Sequence, residues 1–305
     1  MTALITLQYC QQLLQVAPSL GAAITRYAVV YEGKLIDFLR PASKQAIERR
    51  EISEMSSFLM VPWAGRIYHG SFTYDGKQIV YPSRLLDNPH SMHGFTRDFP
   101  WVVESQQENS LILKFGHHAD KDWPFSFEVI QQYGLDDTGL SIWVDVKNTG
   151  DKTMPFSMGH HPFFPCDANT KLYTRVQQAW FNDNDMMPTH LDNHPLVEKL
   201  EQGYAVQEQV WDTIFTGWDR KVVIDWGDRQ LSYQVSEPMN FFVLYNPQGM
   251  SWFCAEPFAN ITDSFNLRNK FPRESIGGMD LLPGEGIKTS FLLQPRFKSV
   301  CSSPF

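Results

Sequence analysis

Apolar and polar residues alternate singly along much of the chain. That is the period of a strand with one buried face, and the alternating runs are short and bounded by turn residues. Residues 22–39 alternate about Glu32-Gly33 and predict a hairpin. Residues 71–81 do the same about Asp75-Gly76, and 221–235 about Gly227-Asp228. Further strands are predicted over 111–115 and 125–133, and over 140–146 after Asp136-Asp137-Thr138-Gly139. Two more, 241–245 and 251–256, are joined by Asn246-Pro247-Gln248-Gly249, and 289–294 closes the series. Helical spacing is confined to 45–55 and 196–206, a turn or two each. Roughly ten or more short strands at this spacing predict an all-β sandwich or barrel. No linker, low-complexity tract or repeat divides the chain, so one domain over 1–305 is expected.

Composition narrows the class. The chain has 305 residues, 43% of them hydrophobic and 14% aromatic, ample for a large core. The 19 prolines and 19 glycines fit many turns and are too few to suggest disorder. A net charge of −8 without a basic stripe argues against nucleic acid and against an anionic membrane surface. No apolar run approaches the roughly 18 residues that a membrane helix needs. Residues 1–17 lack the basic start, apolar stretch and small-residue site of a leader, so a cytoplasmic location is expected. The scattered Cys10, Cys166, Cys254 and Cys301 read as free thiols.

Candidate chemistry gathers around Met154-Pro-Phe-Ser-Met-Gly-His160-His161-Pro-Phe-Phe164. Neighbours on a strand face opposite sides, so only one of the two histidines should face a cavity. Arg66 lies among small and apolar residues, where it is either an ion-pair partner or a ligand contact. His93, in His90-Ser-Met-His93-Gly94-Phe95, is either structural or functional. His117 and His118, beside Asp120-Lys121-Asp122, predict a solvated loop. Asp212 would start a turn, cap a helix or bind. Glu256 ends an apolar run, Trp252-Phe-Cys-Ala-Glu256, where a carboxylate costs several kcal/mol unless partnered or used.

His90, His93, His161 and Glu256 could form a histidine-rich metal site, but their spacing matches no metal motif. Gly-x-Ser-x-Gly and Gly-x-Gly-x-x-Gly are absent, so neither a serine nucleophile nor a dinucleotide site has support. A histidine and a glutamate in an aromatic-lined cavity suit paired acid and base work on a polar, uncharged ligand such as a sugar.

Six ordered stretches resemble the aldose 1-epimerase (galactose mutarotase) family. They are Pro62-Trp-Ala-Gly-Arg-Ile67, Met92-His-Gly-Phe-Thr-Arg-Asp-Phe-Pro-Trp101, Trp123-Pro-Phe125, Gly159-His-His-Pro-Phe-Phe164, Ala255-Glu-Pro257 and Leu282-Pro-Gly-Glu285. The resemblance implies a large antiparallel β-sandwich, a monosaccharide substrate, and neither metal nor cofactor. It places the acid on His161, the base on Glu256, and substrate contacts on Arg66, His93 and Asp212. Ring opening and reclosure would then exchange the anomers, in a monomer or a homodimer. In the simplest case Glu256 sets the acid limb of a bell-shaped pH profile and His161 the alkaline limb. The His-Gly-Phe-x-Arg form also resembles hexose-6-phosphate mutarotases, in which case Arg97 would meet a phosphate instead of pairing with Asp98. Sandwiches of this type also serve as non-catalytic carbohydrate-binding modules.

Overall fold

Three large antiparallel sheets carry the chain, and the computed structural model describes residues 3–84 and 88–298 of it. Cys301 lies outside the described residues. Ile5–Tyr9, Gln12–Ala17, Ala23–Tyr31 and Lys34–Asp37 form a four-stranded sheet. A nine-stranded sheet has Phe127–Asp136, Gly139–Asn148, Gly286–Phe297 and Arg229–Val235 as successive neighbours near its middle. The strands of an eight-stranded sheet run, in spatial order, Pro188–Asp192, Gln178–Asn182, Asp212–Thr216, Phe241–Tyr245, Trp252–Phe258, Gly159–His160 and Leu59–Met60. Phe163–Pro165 also pairs with Trp252–Phe258. This is an all-β architecture of antiparallel sheets, as the alternation predicts.

The three predicted hairpins form, closing at Tyr31↔Lys34, Tyr74↔Lys77 and Asp225↔Gln230. In the first two, both central residues take positive φ, as the tight turns that match strand twist require. The helical stretches are shorter than their spacing suggests. Lys44–Arg49 is capped by Ser43, and a single tight turn at Ile52–Glu54 follows it. Leu196–Gln202 stops at Gly203, and Tyr204–Ala205 is already a strand. The N-terminal hairpin of Ile5–Tyr9 with Gln12–Ala17 escapes the pattern because its turn has no Gly, Asn or Asp; Cys10 adopts φ 50° instead. His117 is not in a solvated loop. It ends strand Ser110–His117, packs on Phe95 and Phe127, and bonds to the Trp123 carbonyl oxygen, whereas His118 is exposed.

Alternation divides the eight-stranded sheet into two faces. Ala179, Phe215, Phe242, Leu244, Phe253 and Ala255 look inward and pack against the nine-stranded sheet. The Tyr233 hydroxyl donates to the Ala255 carbonyl, and the Tyr233 ring stacks on Phe164. Trp180, Ile214, Val243, Cys254 and Phe258 point the other way, into a separate apolar cluster with Phe58, Met60 and Phe163. The functional side chains stand on this second face.

Candidate active site

Two cross-strand rows build the floor. Trp180, Ile214, Val243 and Glu256 are successive partners across four strands, and Asp212, Tyr245, Cys254 and Phe163 form the next row. Register therefore delivers Asp212 and Glu256 to one side of the sheet, although a run of apolar residues surrounds each in sequence. Asp212 is the first residue of a strand, not a turn or a helix cap.

The walls come from the segments that carry the other motifs. Arg66↔Met92 pairs the two short strands Arg66–Ile67 and Ser91–Met92. The Ser157 N–H donates to the Pro62 carbonyl, the His93 N–H to that of Gly65, and the Phe95 N–H to that of Val61. Buried Asn260 donates to the carbonyls of Ala64 and Ile261 and accepts from Ser157, tying these segments to the strand that bears Glu256. Gly94, at φ 63°, has no room for a side chain: a Cβ there would lie 2.0 Å from the Val61 carbonyl oxygen.

These elements enclose a cavity of about 200 Å³ lined by Arg66, His93, His161, Asp212 and Glu256. It is smaller than the roughly 300–1,000 Å³ of pockets for drug-sized ligands, and suits one sugar ring. All five residues expected at a site are thus brought together. The sequence reading missed Asn182, Tyr245 and Thr262 on the same wall. Tyr245 was accessible through hairpin register: the 246–249 turn sets Tyr245 opposite Cys254 and Val243 opposite Glu256. Asn182 has no local signal. A larger cavity, about 510 Å³, is lined in part by Trp252, but among the described residues its only titratable lining groups are Cys166 and the exposed Glu208.

Within the cavity His161 Nε2 stands 3.6 Å from Glu256 Oε2. Glu256 is 3% exposed, and neither its Oε2 nor His161 Nδ1 has a hydrogen-bond partner. Arg66 Nη2 is 3.6 Å from Asp212 Oδ2. The Gly65 N–H donates to His93 Nδ1, which leaves Nε2 as that ring's donor. His160 takes the opposite side, buried against Phe291 of the nine-stranded sheet.

Electrostatics in the cavity differ from the simple two-limb expectation. Burial, helped by Asp212, pushes the Glu256 carboxyl well above its usual range, while Arg66 draws it back. Burial, then Arg97 and Arg40, push His161 down to about 3. Burial therefore favours a proton on Glu256 over one on His161. Burial also raises Asp212, against the pull of Arg66. His93 is pushed well down by burial, then by Arg97, His161 and Arg66.

Arg97 does not line the cavity. It donates to the Met92 carbonyl, lies 4.0 Å from Asp98 and packs over Phe58. His90, proposed above only as a metal ligand, accepts from the His69 N–H and is not a lining residue. Ligand atoms of His161, Cys254 and Glu256 do lie within 4.8 Å of one another. A divalent cation there would face the charges that already act on His161, and a thiol that burial drives well above its normal range.

The sequence profile of the aldose 1-epimerase family matches residues 3–294. The uncharacterized protein YphB of Escherichia coli (strain K12) is 23% identical over 237 residues, 74% of this chain and 79% of that protein. A galactose mutarotase-like protein from Clostridium acetobutylicum superposes with a TM-score of 0.87 at 21% identity, covering 97% of this chain and 95% of the other. A galactose 1-epimerase from Lactobacillus acidophilus gives 0.77 at 15% identity, covering 96% and 94%. At these identities the solved structures speak for the fold.

Proposed function

The chain belongs to the aldose 1-epimerase family, and on that premise we propose that it interconverts the α and β anomers of an unphosphorylated aldohexose by acid–base ring opening. The observation that carries this reading is the pair His161 and Glu256, 3.6 Å apart at the cavity floor with an unpartnered atom on each.

The Glu256 carboxylate takes the proton of the anomeric hydroxyl, and the His161 imidazolium gives one to the ring oxygen. The C1–O5 bond breaks, the anomeric oxygen becomes the aldehyde carbonyl, and rotation about C1–C2 presents its other face. Closure returns both protons. One proton resides on the pair throughout, so opening ends with a neutral imidazole and a carboxylic acid. That is the distribution the low-dielectric cavity favours. Sugar hydroxyls bonded to the charged forms, together with Arg66, favour the ionised pair that starts the reaction. His93, Arg66 and Asp212 are assigned to hydroxyls around the ring.

Charge argues for a substrate without phosphate. Arg66 is the cavity's one lining guanidinium among the described residues and is paired with Asp212, while Arg97 is held elsewhere. Retention of both acid and base favours an enzyme over a binding module. The test is polarimetry of freshly dissolved α-D-glucose, α-D-galactose and α-D-glucose 6-phosphate. Faster decay of rotation is expected for a free sugar. Acceleration of the phosphate ester alone would reverse the substrate assignment. Binding without acceleration of any aldohexose would leave a carbohydrate-binding protein.

A further inference from the structure

The His161 ring packs against two phenyl rings that also touch each other, their centroids 6.4 Å apart. Phe163 is 4.6 Å away and nearly parallel, at 16°, and Phe58 is 4.8 Å away at 32°. Each phenyl carries a guanidinium. Arg40 Cζ lies 4.0 Å from the Phe163 centroid and 4.8 Å from that of Trp252, and Arg97 Cζ lies 5.1 Å from the Phe58 centroid. We propose that Arg40 and Arg97 are positioning residues of the proton transfer: through Phe163 and Phe58 they set the orientation and charge state of the His161 ring, a role that rests on His161 being the proton donor described above.

Both arginines are unusually placed for structural ion pairs. Their side chains are only 12% and 11% exposed, yet their nearest carboxylates are loose, Glu54 at 3.8 Å from Arg40 and Asp98 at 4.0 Å from Arg97. A buried guanidinium normally takes a close, bidentate acid. Here Arg40 Nε and Nη1 and Arg97 Nε have no hydrogen-bond partner. Arg40 holds the carbonyls of Ser53 and Met55, and Arg97 that of Met92. Their common feature is that each lies over a phenyl ring in contact with His161.

The other groups facing this ring are Glu256, the His93 ring at 5.2 Å and the Cys254 thiol. His93 is held neutral and Cys254 protonated by burial, so neither cancels the two cations. Two weakly compensated positive charges disfavour a third on the imidazole, and both act on His161 in that direction. The two phenyl rings also limit rotation of the His161 ring on the sides they cover. An imidazolium formed here is therefore a strong acid in a fixed pose, suited to protonating a weakly basic ring oxygen. Neither arginine lines the cavity, so their effect passes through the ring and not through the sugar.

The test compares Arg97→Met and Arg40→Met with Arg97→Lys and Arg40→Lys in the whole chain. NMR follows the His161 Cε1–H titration, identified by its loss in His161→Asn, and polarimetry gives kcat and KM against pH. Each Met variant is expected to raise the His161 midpoint by about one pH unit. It should also shift the pH dependence of kcat by about the same amount, with KM unchanged. The Lys variants keep the charge and should hold the midpoint near that of the wild type. Arg40→Met loses two backbone bonds and is expected to melt lower; Arg97→Met loses one and keeps the measurement in a folded protein. An unmoved midpoint in a folded, active Met variant overturns the role of the arginines. A wild type that accelerates no aldose overturns the reading of the site itself.

Discussion

The two faces of the eight-stranded sheet treat polar atoms differently. On the inner face and at its edges they are spent within the fold: the Tyr233 hydroxyl on Ala255, and Asn260 on Ala64, Ile261 and Ser157. On the outer face Glu256 Oε2, His161 Nδ1 and Asn182 Oδ1 are buried and unmatched. Satisfied networks stabilise and specify a packing, whereas unmatched atoms lower stability. His160 is the informative exception, with an unpartnered Nε2 on the inner face against an aromatic ring. Burial pushes it down to about 3, so it serves as a neutral packing group.

The largest contrast is expected from Glu256→Gln. It should lower mutarotation about 10²-fold or more. The melting temperature should hold, because glutamine keeps the size of the side chain and removes a carboxyl whose charged form burial disfavours. A near-normal rate on both free and phosphorylated aldohexoses would remove Glu256 from the role of base.

The adjacent histidines sharpen the same contrast. His161→Asn should remove most turnover with little loss of stability. His160→Asn should keep turnover and cost about 1–3 kcal/mol through lost packing and polar mismatch. Thermal melts and polarimetry on both variants decide it. A dead but stable His160→Asn beside an active His161→Asn would mean that the catalytic face is the other one.

A smaller effect follows from pH. Unfolded imidazoles take up protons near 6.5, but folded His160 and His161 do so only near 3. Between those values the unfolded chain binds more protons, so falling pH drains stability, by about 1.4 kcal/mol per pH unit for each imidazole. Glu256 has the opposite sign. Its raised carboxyl contributes stability below its unfolded value of 4.5 that is lost as pH rises through its folded value. From pH 6.5 down to 4.5 the two histidines outweigh it. Melting temperature should therefore fall on acidification, and less steeply in His160→Asn. Equal slopes in both proteins would show that His160 is not held neutral.

The smallest expected effect is that of a strong chelator, which should leave mutarotation unchanged. Loss of activity restored by one divalent ion would reassign His161, Cys254 and Glu256 as ligands.

Much of this was legible in the residues. Alternation separated His160 from His161, turn pairs located the hairpins, and the six motifs carried both the family and the five residues that meet at the cavity. These are properties of short stretches, where side-chain period and turn chemistry act locally. Assembly alone decided the rest. The pairing of Arg66 with Asp212, the inclusion of Asn182 and the withdrawal of Arg97 behind Phe58 depend on register between distant strands. The relative proton affinities of Glu256 and His161 depend on desolvation, which no side chain possesses until the sheets close around it.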